Sequence, residues 1–248
     1  MLAIPVVVGW ILRVRDGAPT APQLVPVVAC WIIGYLAFNA ATAWLKAPAR
    51  RRPAARTPLL VYGLSSAACG GLALLLIGPA LLAWIVPFAP LVGAALVLAA
   101  TRRERSLASG ALTTAAASVM VLVTRFVTAD ELLGSLGTAT GTAALVHTGL
   151  VFGYLFGTVW HVKGMIRERG RSGWLAASVA WHVGVTIAAG IAAALGALAP
   201  VWCVLFALTA VRAWLLPTVA ARRPVRPLVI GLVEIGLTTA FAVVTVFA

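Results

Sequence analysis

The sequence predicts an all-α, polytopic membrane protein of about nine spans. Three observations lead there. Of 248 residues, 62% are hydrophobic and only 10% charged, whereas a soluble domain runs to about half apolar and about a quarter charged. The apolar residues come in long runs that are uncharged but for Arg212 and Glu234, and nine spans of about 20 residues would occupy roughly 180 positions. The cations fall in alternate gaps between those runs. A soluble enzyme, a secreted disulfide scaffold and a disordered chain are excluded by this composition. Nineteen Lys and Arg against six Asp and Glu give a net charge of +13. In a soluble protein that excess would suggest nucleic acid; here it reports orientation in a bilayer, and no nucleic-acid partner is expected.

The elements follow in order. Residues 1–12 are apolar but too short to cross. No charged region precedes the apolar residues, so a signal peptide does not fit. A half-helix, or a start codon placed too far downstream, are the two explanations, and the second is the expectation. Residues 22–45 form the first full-length run, closed by Lys46. Runs 58–78 and 80–100 are divided at Gly78-Pro79, a natural break for a helix. Runs 106–124, 138–162, 173–196, 199–221 and 227–248 complete the set. All are continuous and rich in Ala, Leu and Val. Barrel strands would alternate over about ten residues, so these are helices, and their internal hydrogen bonding lets them span. The whole chain, 1–248, reads as a single transmembrane domain.

Charge placement gives the topology. Lys46, Arg50, Arg51, Arg52 and Arg56 follow the second run. Arg102, Arg103 and Arg105 follow the fourth, Lys163, Arg167, Arg169 and Arg171 the sixth, and Arg222, Arg223 and Arg226 the eighth. The other gaps carry Arg13, Arg15 and Arg125, beside Asp16, Asp130 and Glu131. Basic loops stay inside. The expectation is therefore a multi-pass protein of the cytoplasmic membrane, with these four loops cytoplasmic and the C-terminus outside.

The chain also carries marks of an internal duplication. Gly34-Tyr35-Leu36 precedes Trp44-Leu45-Lys46, and Gly153-Tyr154-Leu155 precedes His161-Val162-Lys163. Each leads to a basic loop, two spans and another basic loop. Parallel repeats tend to place sites at their interface. The alternative is coincidence among Gly- and Leu-rich helices.

Polar residues inside spans need a reason. Asn39 and Thr42 share one helical face, and Thr158 and His161 hold comparable places in the sixth run. With Lys46 and Lys163 they would line a basic pocket for an anionic head group. Interhelical hydrogen bonds and snorkelling lysines are the plainer reading. The stretch 163–170, Lys-Gly-Met-Ile-Arg-Glu-Arg-Gly, is the densest polar feature. Its Arg167 and Arg169 suit phosphate or carboxylate, although the same cations would serve as a surface anchor. Glu168 has no place in a simple anchor.

Arg212 and Glu234 lie within apolar runs, each two to three turns from the loop that joins them. A structural ion pair is the economical reading; a proton site at Glu234 is the functional one. His147 and His161 are fourteen residues apart, but only His182 is left to answer them, so paired haem ligation fails. No acids or cysteines cluster with the histidines, so no metal site is expected. Cys30, Cys69 and Cys203 stand singly. No P-loop, dinucleotide fingerprint or nucleophile elbow is present, and no cofactor is expected.

The sequence resembles the YwiC-like family of bacterial multi-pass membrane proteins. The residues that carry the resemblance are Met-Leu-Ala-Ile-Pro-Val-Val-Val-Gly at 1–9, Gly-Tyr-Leu-Ala-Phe-Asn-Ala-Ala-Thr-Ala-Trp-Leu-Lys at 34–46, Pro-Phe-Ala-Pro at 87–90 and Arg-Arg-Glu-Arg-Ser-Leu at 102–107. Phe-Gly-Thr-Val at 156–159, Val-Lys-Gly-Met-Ile-Arg-Glu-Arg-Gly at 162–170 and Ala-Ser-Val-Ala-Trp-His at 177–182 complete it. The resemblance implies a His-Gly-Ala-Trp stretch ahead of residue 1, and with it a missing polar residue. It implies no established activity.

More remotely, the architecture is similar to that of UbiA-type prenyltransferases, which hold Mg²⁺ and a prenyl pyrophosphate with Asp-rich motifs after spans two and six. Asn39 matches the asparagine that opens the first of those motifs, but the aspartates are absent. Mg²⁺ binds through carboxylates. The resemblance thus implies at most a UbiA-like transferase without its Asp-rich motifs. Three functions remain open. One is a lipid-site protein that takes an isoprenoid or anionic head group at Asn39, Thr42, Lys46, Thr158, His161, Lys163, Arg167, Glu168 and Arg169. The others are a non-catalytic accessory subunit of a membrane (respiratory) complex and a small transporter. Protein partners are not readable from the sequence.

Overall fold

The structure, a computed structural model, describes residues 2–19, 21–223 and 225–248. Met1, which heads the run expected over 1–12, lies outside the described residues. Among the described residues the fold is all-helical: α1 (Ala3–Arg15), α2 (Leu24–Lys46), α3 (Arg52–Ile77), α4 (Ile85–Ala100), α5 (Leu107–Phe126), α6 (Ala129–Ser135), α7 (Ala139–Ile166), α8 (Ser172–Ala194), α9 (Val201–Arg222) and α10 (Pro227–Phe247). Among the described residues eight helical segments are long and apolar enough to cross a membrane, and the chain is a multi-pass membrane protein. Large apolar side chains point outward all along them: Leu75 is 85% exposed, Val86 76% and Leu195 78%. On a soluble protein so much exposed apolar surface would drive association; in a bilayer it faces hydrocarbon.

The helices form two compact units, Leu2–Leu136 and Gly137–Ala248. In the first, α2 and α3 pack along one another. A Cβ on Gly34 would come within 3.2 Å of Ser66 Oγ, and one on Gly70 within 3.3 Å of Cys30 Sγ. Small residues permit this close approach where hydrophobic driving force is absent. The Ser66 hydroxyl donates to the Cys30 carbonyl at 3.1 Å.

α5 is the inner helix of this unit, half of its span being buried. Its start is capped by Ser106, whose hydroxyl accepts from the Ser109 amide at 3.1 Å, meeting one of the orphan N–H groups of the first turn. α1 lies against α5. At 13 residues it is about 20 Å long, short of the hydrocarbon core of about 30 Å. Gly9 touches the α5 backbone so closely that a Cβ there would collide with Thr124 and the Val121 carbonyl. Two buried arginines lock the end of this contact. Arg13 donates to the carbonyls of Pro19 (2.9 Å) and Arg125 (2.8 Å), and Arg125 pairs with Asp16.

Three features differ from the sequence expectation. The run at 80–100 opens with a 3-10 turn, Pro79–Trp84. The gap between the fifth and sixth runs holds the short helix α6, capped by Thr128 with Asp130 and Glu131 in its first turn, where acids favour a helix N-terminus. α7 continues to Ile166, so Lys163 lies inside a helix rather than in a loop.

The second unit is built on α7, half of whose span is buried. It packs against α8 and α9, and α9 packs against α10. One layer of its core is aromatic. Phe241 lies 4.8 Å from Tyr154 and 5.0 Å from Trp202, ring centre to ring centre. A second, aliphatic layer joins Met165, Ala220 and Ile230. Three helix turns of α7, from Tyr154 to Met165, separate the two layers.

Candidate functional site

Between those layers the second unit buries a polar cluster to which all four of its helices contribute. Tyr154, Thr158 and His161 stand at i, i+4 and i+7 on α7, so they share one face. His182 comes from α8, Arg212 from α9, and Glu234 and Thr238 from α10. Arg212 Nη1 donates to both Glu234 oxygens, at 2.5 and 2.6 Å. Its Nη2 lies 2.9 Å from His182 Nε2. A guanidinium only donates, so His182 Nε2 accepts and its proton sits on Nδ1, which donates to the Ser178 carbonyl at 2.7 Å. His182 is therefore neutral. The Thr158 hydroxyl donates to Glu234 Oε2 at 3.2 Å, and the Tyr154 and Thr238 hydroxyls bond to each other at 2.7 Å.

Gly157 makes the histidine contact feasible. A Cβ there would meet His182 Nε2 at 2.8 Å, so any side chain would push the ring off Arg212. One group in the cluster is unused. The His161 side chain is fully buried, and neither ring nitrogen has a hydrogen-bond partner. Its Nε2 stands 4.0 Å from Glu234 Oε1. Arg212 Nε is likewise unpartnered. Buried polar atoms without partners are rare, and unpaired intramembrane charge is costly.

The cluster joins four residues named by sequence reasoning, Thr158, His161, Arg212 and Glu234. It adds His182, which sequence reasoning weighed only against haem and metal ligation, together with Tyr154 and Thr238. The missed signal was periodic. Polar residues at 154, 158 and 161 lie on one face of α7, and Glu234 and Thr238 are one turn apart on α10.

The remaining candidates lie elsewhere. Lys163 is half-buried in the last turn of α7. Arg167, Glu168 and Arg169 follow that helix, with Arg167 and Arg169 exposed. Arg169 donates to the Ala220 carbonyl of α9, and Glu168 pairs with Arg171. α8 then begins without a side-chain cap. A hollow of about 520 Å³ lies at its start, lined by Gly170, Arg171, Ser172, Gly173, Trp174 and Ala177. Trp174 reaches back to α7, where a Cβ on Gly164 would come within 3.0 Å of its ring.

In the first unit, the Asn39 amide donates to the Tyr35 carbonyl at 2.8 Å, and the Thr42 hydroxyl donates to the Asn39 carbonyl at 2.8 Å. Both bonds stay within α2. Lys46 pairs with Glu104 at 3.2 Å. The Glu104 carboxyl is held below the usual carboxylate range, first by its own backbone amide and then by Lys46.

A family model described as YwiC-like protein matches residues 1–125. The match takes in 1–9, 34–46, 87–90 and 102–107 and ends before the 162–170 stretch. The chain matches no curated protein and no solved structure.

Proposed function

The chain belongs to the YwiC-like family, and we propose that this member binds the anionic head group of a membrane lipid or isoprenoid phosphate where α7 gives way to α8. The hollow at the uncapped start of α8 carries the reading. The first amides of a helix have no carbonyl to meet and point along the positive end of its dipole, which suits phosphate oxygens. Arg171 lines the hollow, and Lys163, Arg167 and Arg169 precede it in the chain. Trp174 offers an aromatic face of the kind that settles at the head-group level of a bilayer. Arg169, tied to α9, and Arg171, tied to Glu168, are preorganised; Lys163 and Arg167 are the adaptable contacts.

In this reading the four basic loops face the cytoplasm and the C-terminus lies outside. Asn39, Thr42 and Lys46 form a second, smaller polar group, in which Glu104 already engages the ammonium. Cations and helix amides hold the phosphate without metal. A transport role is the second reading, favoured by the buried Arg212–Glu234 pair.

Native mass spectrometry of the purified chain tests the first reading. Each cation near an anionic surface is worth about 1 kcal/mol, so removing two should weaken binding by roughly thirtyfold. Lys163→Ala with Arg167→Ala is expected to lose most of the copurified anionic lipid. Retention equal to wild type would refute the reading.

A further inference from the structure

The buried cluster of the second unit holds one carboxylate, Glu234, and one idle acceptor beside it, His161. From α9, Arg212 Nη1 binds both carboxylate oxygens. From α7, the Thr158 hydroxyl donates to Oε2 and His161 Nε2 stands 4.0 Å from Oε1. From α8, His182 faces the carboxylate only through Arg212. Tyr154 of α7 and Thr238 of α10 satisfy each other. Every member has a partner except His161, which is shut away from solvent with both nitrogens unbonded.

An ionised carboxylate only accepts hydrogen bonds, whereas a protonated one carries an O–H donor. A neutral His161 has one acceptor nitrogen whichever tautomer it adopts; with its proton on Nδ1 that acceptor is Nε2, and a protonated Glu234 would supply the donor it lacks. We infer that Glu234 is a membrane-embedded proton-binding site, with His161 Nε2 as the acceptor that receives the loaded carboxyl.

The step balances simply. A hydronium ion gives its proton to Glu234 Oε1, its own O–H bond breaking to leave water, and the Arg212 Nη1 bond to that oxygen opens. The new O–H turns to the His161 Nε2 lone pair across a gap that must close by about 1 Å to reach hydrogen-bond length. The ring proton of His161 stays on Nδ1. Arg212 keeps Glu234 Oε2 and His182 Nε2. No electron is transferred, and the O–H bond is the only covalent bond formed.

Access is short. His161 lies five residues before the end of α7 at Ile166, about 7.5 Å along the axis. A carboxyl that loads and releases a proton inside the bilayer is the element a proton-coupled carrier needs. This inference goes beyond head-group binding and does not depend on it.

Infrared difference spectroscopy on the full chain in nanodiscs, stepped from mildly alkaline to mildly acidic pH, tests it. A protonated-carboxyl C=O band should appear on acidification, vanish in Glu234→Gln, and move in frequency in His161→Phe, which removes the acceptor and keeps the ion pair. If Glu234→Gln does not fold, the His161→Phe shift carries the test alone. No band in the wild type, a band that survives Glu234→Gln, or a band unmoved in His161→Phe would each overturn the inference. Lipid retention unchanged in His161→Phe would leave the head-group reading standing in any of these cases.

Discussion

Arg212→Met removes the cation from the buried pair and leaves Glu234 with only the Thr158 hydroxyl within bonding distance. The structure sets the magnitude. The Arg212 side chain is 4% exposed and that of Glu234 13%, so neither charge has water to fall back on. Breaking a buried pair by removing one partner costs about 3–5 kcal/mol, which shifts the folding equilibrium by roughly two to three and a half powers of ten. His182 Nε2 loses its donor at the same time, and that belongs within the same range. Glu234→Gln should cost less than Arg212→Met plus the coupling, because the amide oxygen still accepts from Arg212. The double variant Arg212→Met/Glu234→Gln should recover a large part of the single-variant loss, because it leaves no unpaired charge. Reversible unfolding in bicelles, run as a double-mutant cycle, reads the coupling directly. Additive losses, or an Arg212→Met cost under about 1 kcal/mol, would refute the claim that the two charges are desolvated and mutually dependent.

Other variants probe separate contacts. Gly157→Ala places a Cβ 2.8 Å from His182 Nε2, so it should cost about 1–3 kcal/mol and abolish the Nδ1-protonated signature of His182 in ¹⁵N spectra; an unchanged signature contradicts the packing. Gly9→Ala should loosen α1 from α5, seen as faster amide exchange in α1 than in α8. Glu104 contributes stability that is present above the ordinary carboxylate pKa and lost as pH falls through its depressed folded value. Glu104→Gln should therefore remove part of the acid-dependent loss seen in a pH series of melting curves, and an identical pH profile counts against the Lys46–Glu104 pair.

The spans were legible because lipid demands long apolar runs and most of these runs end in charge or at a Gly-Pro break. The end of α7 was not, since Lys163 reads as a loop cation while its flexible stem lets the helix run one turn further. α6 is too short to register against the surrounding apolar signal. At the site, the pairing of Arg212 with Glu234 was inferable from their equal depth on consecutive antiparallel runs. The place of His182 was not, because it depends on Gly157 opening a gap on a different helix. Counting histidines asks about haem and metal; it does not reveal that one of them accepts from an arginine and another accepts from nothing.

The head-group claim is tested most directly by titrating a short-chain anionic lipid into the detergent-solubilised chain and into Lys163→Ala/Arg167→Ala. Saturable binding by the wild type is expected, weakened roughly thirtyfold in the variant and not displaced by a zwitterionic lipid. Equal affinity for both proteins, or equal competition by the zwitterionic lipid, would contradict it.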